Sequence, residues 1–152
     1  MCIYTFMSND ATNPARHPDC TCNALRKTAR AITRRYEAAL RPFALSPSQY
    51  TLISTLAYEG SQPLGQLAKS LELDRTTLTR NLQPLLRRKL VAEQAETDAR
   101  IRQIALTQEG HALQQRAELG WHAVQQEYSD ALGDADRDLL HALLSKVRKL
   151  HP

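Results

Sequence analysis

A mainly α-helical fold with one short β-hairpin is predicted by three observations. Leucine and alanine are abundant, and aromatic residues make up only 5% of the chain, a balance that favours helix over sheet. Apolar residues recur at three- and four-residue intervals through most of the sequence, the period of a helix with one buried face. Within residues 91–106, two short apolar runs flank the polar stretch Glu96-Thr97-Asp98-Ala99, the pattern of a hairpin.

A chain of 152 residues is long enough to bury a substantial core, as one domain or as one domain with dimerisation elements. The net charge of +4 permits a nucleic-acid partner without requiring one; the placement of the arginines is more informative. No apolar run reaches the length of a membrane span. The opening MCIYTFMSND lacks a basic segment followed by a long apolar stretch, so neither membrane insertion nor export is expected. Three cysteines, an odd number without disulfide-framework spacing, point to the cytoplasm.

Residues 1–18 carry Asn, Asp, Thr and two prolines without periodicity and read as a flexible N-terminal arm. Residues 19–45 read as an N-terminal dimerisation helix, with Cys22, Leu25, Ala29, Ile32, Tyr36, Leu40 and Phe43 on one stripe. Arg26, Lys27, Arg30, Arg34 and Arg35 decorate its solvated faces.

Residues 46–107 change character. Ser46-Pro47-Ser48-Gln49 is a helix start, with Ser as N-cap, Pro at the first helical position and Gln where a capping box needs it. Tyr50, Ile53, Leu56 and Ala57 form the stripe of that helix, and Gly60 ends it. Leu64, Leu67, Ala68 and Leu71 give a short second helix, Leu73 a turn, and Asp74 an N-cap. Leu78, Leu82, Leu85 and Leu86 are the buried face of a third, in which Pro84 should cost a hydrogen bond or introduce a kink. In residues 108–152, Thr107 caps a long helix with Leu113, Ala117, Trp121, Val124 and Tyr128 inward, and Gly133-Asp134 breaks it. Leu139, Leu140, Leu143, Val147 and Leu150 follow at near-heptad spacing, a face that needs a partner helix.

The polar side of the Asp74-capped helix carries Arg75, Thr76, Thr77, Thr79 and Arg80. Such a face suits a DNA major groove, where arginine reaches guanine edges and threonine reaches phosphates and thymine methyls. The hairpin adds Arg100 at its tip, which would enter a minor groove. Asp98 is placed to orient that guanidinium, and Arg102 follows on the second strand. Helix, turn, helix and basic hairpin is the order of a winged helix-turn-helix. The predicted fold is therefore mainly α, a winged helix-turn-helix with long N- and C-terminal dimerisation helices and a two-stranded wing.

Several of these stretches resemble the MarR-type transcriptional regulators. The matching pieces are Asp74-Arg75-Thr76-Thr77-Leu78-Thr79-Arg80, Arg88-Lys89-Leu90-Val91, Asp98-x-Arg100 and Leu106-Thr107-x-x-Gly110. The resemblance covers about residues 20–150. Lys89 departs from it, standing where the family usually has glycine to end the helix, and so does Pro84. The resemblance implies a homodimer whose first and last helices interlock, bound to double-stranded DNA at a pseudo-palindromic operator. It implies a repressor released by an oxidant or a small-molecule effector, with no cofactor. The effector would be a small aromatic acid lodged between the first two helices and the wing domain, where Tyr36 and Tyr50 fall.

Cys22-x-Ala24-Leu25 and Tyr36 further resemble the organic-hydroperoxide sensors of that group, although Pro47 replaces their second thiol-binding tyrosine. Cys22 and Tyr36 are fourteen positions apart, about 21 Å along one helix, so they could meet only between antiparallel subunits. Three readings of this region stand side by side. Cys22 is a redox thiol with Cys20 resolving it, or a small core residue, or part of a metal site with Cys20 and His17 that lacks a fourth ligand. His111, His122 and His141 read as surface or capping residues. No Ser/His/Asp order, glycine-flanked nucleophile or HExxH marks an enzyme. The alternative from another class is a helical interaction protein that does not bind DNA.

Overall fold

The computed structural model describes residues 20–95 and 102–150. The elements in chain order are α1 (Thr21–Leu40), a 3-10 turn (Arg41–Phe43), α2 (Pro47–Glu59), β1 (Gln62–Pro63), α3 (Leu64–Ser70), α4 (Arg75–Arg87), β2 (Val91–Ala95), β3 (Arg102–Leu106) and α5 (Gln108–Lys149). The chain divides into two units, Met1–Arg34 and Arg35–Pro152. In the first, the described part of α1 exposes Leu25 and Ala29 and half-buries Ile32. Among the described residues no helix is long and apolar enough to cross a membrane.

The second unit holds the core. Leu52 and Ile53 of α2, Leu67 of α3, Leu78 and Leu85 of α4 and Ala117 of α5 are all fully buried, and Ile104 of β3 nearly so. The predicted stripes of α2, α3, α4 and the first half of α5 therefore converge on one cluster. Leu52 was outside the predicted stripe, because α2 is covered on more than one side.

The predicted N-caps are present. Ser46 and Gln49 form a reciprocal capping box, Asp74 accepts from the Thr77 amide at 2.8 Å, and Thr107 accepts from the Gly110 amide at 3.0 Å. Each satisfies an amide that the first helical turn leaves without a partner. Pro84 does not end α4, which continues to Arg87. At Gly133 (φ 72°, ψ 163°) the backbone of α5 leaves helical geometry, the break expected there.

Three helical segments end in the same way, without glycine. Ala44, Glu72 and Lys89 have φ of 50°, 52° and 55°. At each, the following amide reaches back six residues, inclusive, as in Leu73 N to Ala68 O at 2.9 Å and Leu90 N to Leu85 O at 2.9 Å. This is the Schellman closure, whose left-handed residue is usually glycine. Lys89 thus occupies the left-handed position despite its Cβ, which costs about 1–2 kcal/mol relative to a right-handed residue. Lys89→Gly is expected to raise stability by about 0.5–1 kcal/mol, the strain relieved being partly offset by glycine's larger unfolded-state entropy. A denaturant midpoint that falls or stays unchanged would contradict this.

The wing arms pair antiparallel, with Val91 opposite Leu106 and Ala95 opposite Arg102. The expectation of a two-stranded wing needs one addition. β1 pairs with β3, Gln62 opposite Ile104, giving a three-stranded sheet in the order β1-β3-β2. β1 is two residues long and contains Pro63, which has no amide to donate and so suits an edge. So short a strand leaves no alternating pattern to read. The hairpin tip, with Asp98 and Arg100, lies outside the described residues.

Candidate nucleic-acid interface

The polar face of α4 lies opposite its buried leucines. Leu78, Leu82 and Leu85 face the core, while Arg75, Thr76, Thr79 and Arg80 are exposed and Thr77 is half-buried. The hydroxyls differ in what they can still do. Thr77 donates its hydroxyl to Asp74 Oδ2 at 2.7 Å, and Thr79 donates to the Arg75 carbonyl at 2.7 Å. Both hydroxyls are thus engaged within the start of the helix. The Asp74 carboxyl is held below the usual carboxylate range by the Thr77 amide and then by its hydroxyl. It stays charged at the helix N-terminus and fixes the first turn. Arg75, Thr76 and Arg80 are exposed on this surface, with the Arg75 guanidinium lying beside Gly65 of α3.

Two joints hold α4 in place. Arg88, at its C-terminal end, donates to the Ala44 carbonyl at 2.6 Å and the Phe43 carbonyl at 2.9 Å, tying the helix to the turn after α1. The Leu90 carbonyl, just before β2, accepts from the Thr107 amide at 3.0 Å and the Thr107 hydroxyl at 3.1 Å. That hydroxyl also reaches the Lys89 carbonyl at 2.8 Å. The end of α4, the start of β2 and the start of α5 therefore meet within one hydrogen-bond cluster. β2 begins at Val91 and β3 ends at Leu106 opposite it, so the hairpin springs from the same joint.

A cleft of about 310 Å³ is lined by Tyr50, Thr51, Ser54, Thr55, Tyr58 and Glu59 of α2 and by Glu118, Trp121 and His122 of α5. Tyr50 stacks on Trp121 with ring centroids 4.7 Å apart. Tyr36, the other residue expected at a ligand, lies against Trp121 at 4.2 Å and is 7% exposed. It supports the cleft's aromatic wall and is not part of its lining. Burial pushes the hydroxyls of both Tyr36 and Tyr50 up from the ordinary tyrosine value. Tyr58 donates to Glu118, and that hydrogen bond is the main reason the Glu118 carboxyl sits below its usual range. Ser54, Tyr58, Glu118 and His122 were not anticipated as a group. The signal was present as Tyr50, Ser54 and Tyr58 at four-residue spacing, but their partners lie some sixty residues away.

Cys20 is half-buried just before α1, and Cys22 is exposed in its first turn; both are free thiols. Among the described residues no three of His, Cys, Asp or Glu come together as a metal site; His17 lies outside them.

The sequence model of the MarR family matches residues 45–101. The HTH-type transcriptional regulator YhbI of Bacillus subtilis, itself uncharacterised, is 31% identical over 135 residues, 86% of this chain and 88% of that protein. The chain belongs to the MarR family. The M. tuberculosis transcriptional regulator MosR, solved in complex with DNA, is 32% identical over 88% of this chain and all of its own, with a TM-score of 0.74. BpsR of Bordetella bronchiseptica, studied for regulation of its DNA binding by 6-hydroxynicotinic acid, shares the fold at a TM-score of 0.80 and 22% identity over 90% of this chain and 98% of its own.

As a MarR-family member the chain is a DNA-binding transcriptional regulator and not an enzyme. The family match begins at Leu45, one residue before the Ser46 cap. It ends in the wing, so it spans both helices of the helix-turn-helix and the joint at Leu90.

Proposed function

We propose that this MarR-family chain acts as a homodimeric repressor that reads a pseudo-palindromic operator and is released by a small molecule. The observation that carries the DNA reading is the exposed cluster of Arg75, Thr76 and Arg80 above the fully buried Leu78. In it, Arg80 reads base edges, Thr76 and Arg75 hold phosphates near the helix start, and Thr77 and Thr79 offer methyl groups. Arg100 enters the flanking minor groove with Asp98 orienting it, and Arg102 meets the backbone from the start of β3. The dimer reading rests on two apolar faces exposed in the single chain. One is the first part of α1; the other comprises Leu139, Leu140, Leu143 and Leu144 of α5. A two-fold dimer places two copies of α4 one helical turn apart on the duplex.

The release reading rests on the cleft, which has the size and aromatic lining of a small-ligand site. A redox signal at Cys22 has less support. Tyr36, which would hold the thiol, is buried against Trp121.

Two substitutions separate reading from framework. Arg80→Ala is expected to weaken binding to a duplex selected from a random pool by about 1–3 kcal/mol, with a smaller loss on a scrambled duplex. Thr77→Ala removes a capping contact as well as a methyl group, so it should lower the melting temperature together with affinity for both duplexes, whereas Arg80→Ala should leave the melting temperature unchanged. Fluorescence anisotropy at fixed salt measures both. Equal weakening of the two duplexes by Arg80→Ala would reduce that residue to a phosphate contact.

A further inference from the structure

We infer that the cleft between α2 and α5 takes a small organic cation of about one aromatic ring, in place of the aromatic acid that the family resemblance implies. The inference rests on the effector reading above and names the ligand chemistry of that site. The volume of about 310 Å³ is at the lower end of the range for ligand sites, about 300–1,000 Å³.

Its charge lining is one-sided. Among the described residues that line it, Glu59 and Glu118 supply carboxylates, none is lysine or arginine, and the single basic group is His122. The His122 Nε2 stands 3.6 Å from Glu118 Oε1, so even when protonated it is matched by that carboxylate. Tyr58 donates to Glu118 and holds it ionised. A carboxylate ligand would be desolvated beside like charges with no basic side chain of the lining to receive it. A cation meets the opposite conditions. The carboxylates attract it, and the stacked Tyr50 and Trp121 present an apolar wall to its ring.

Trp121 is the only tryptophan in the chain, so its fluorescence reports on this cleft alone. The full-length protein is titrated with benzamidine, benzamide and benzoate, which share a ring and differ in charge. Benzamidine should bind at least about tenfold more tightly than benzoate, with benzamide between them. Glu118→Gln should bring the three close together. Thr51→Arg, at an exposed lining position, should reverse the order while leaving the fold intact by circular dichroism. Benzoate binding as tightly as benzamidine, or no saturable response to benzamidine by fluorescence and calorimetry, overturns the assignment. DNA anisotropy on the same samples keeps the two readings apart. Benzamidine bound without change in DNA affinity upholds the site and ends its effector role. Benzoate that binds tightly and releases DNA upholds the effector role and ends the cation assignment.

Discussion

Gly110→Ala is expected to cost about 3 kcal/mol, at the upper end for small-to-large changes in a packed site. A Cβ at Gly110 would lie 2.1 Å from the Leu90 carbonyl oxygen and 2.6 Å from Leu106 Cδ1. Leucine atoms can move aside, but the Leu90 oxygen is backbone and already accepts both the amide and the hydroxyl of Thr107. It can retreat only by breaking the cluster that joins α4, β2 and α5. For a chain of this size the melting temperature should fall by roughly 10 °C, and DNA affinity should fall further than stability alone explains, because the wing leaves the same joint. Gly65→Ala is the matched control. There the nearest atom is Arg75 Nη2 at 3.8 Å, so alanine should be neutral or stabilising by up to about 1 kcal/mol through loss of unfolded-state freedom. A Gly110→Ala protein that melts with the wild type would show that Leu90 is not fixed by this cluster.

That joint shows what the sequence carried and what it did not. Leu106-Thr107-x-x-Gly110 was legible as a matching piece and as a helix cap. The close approach that makes glycine necessary at position 110 depends on a carbonyl twenty residues earlier, which local pattern cannot disclose. Lys89 is the reverse case. The sequence placed it where glycine is usual, and the structure shows the left-handed backbone that glycine would have favoured. Periodicity gave the stripes of α3, α4 and the first half of α5 because one-sided burial imposes it directly. It did not give the cleft, whose walls come from two helices distant in sequence. Nor did it show that the Thr77 hydroxyl is engaged by Asp74, although Asp followed three residues later by Thr is itself a capping pattern. Residue type suggested a groove contact at position 77, and hydrogen bonding within the helix start limits it to a methyl group.

Dimer disruption is expected to have the largest effect on operator binding. After Gly133, α5 exposes Leu139 at 56%, Leu140 at 40%, Leu143 at 51% and Leu144 at 36%. Positions 139 and 143, 140 and 144, and 140 and 143 are neighbours on one helical face, so these side chains form a continuous stripe. In the dimer proposed above, this stripe is buried against a second copy, which stabilises the pair by about 25 cal/mol per Å² of apolar surface removed from water. Leu140→Lys combined with Leu143→Lys places two charges in that stripe and should yield a monomer by light scattering, with helix content unchanged. A monomer engages one half-site at a time. It loses the effective concentration that makes the second contact intramolecular, so affinity for a two-half-site operator should fall by about 10²–10⁴-fold, while affinity for an isolated half-site changes little. Leu119→Lys is the contrasting substitution. Leu119 is 75% exposed, with Gln115, Arg116, His122 and Ala123 at its helical neighbours, and its replacement should leave both assembly and binding unchanged. A double variant that remains dimeric and binds the operator as before would move the interface away from this stripe.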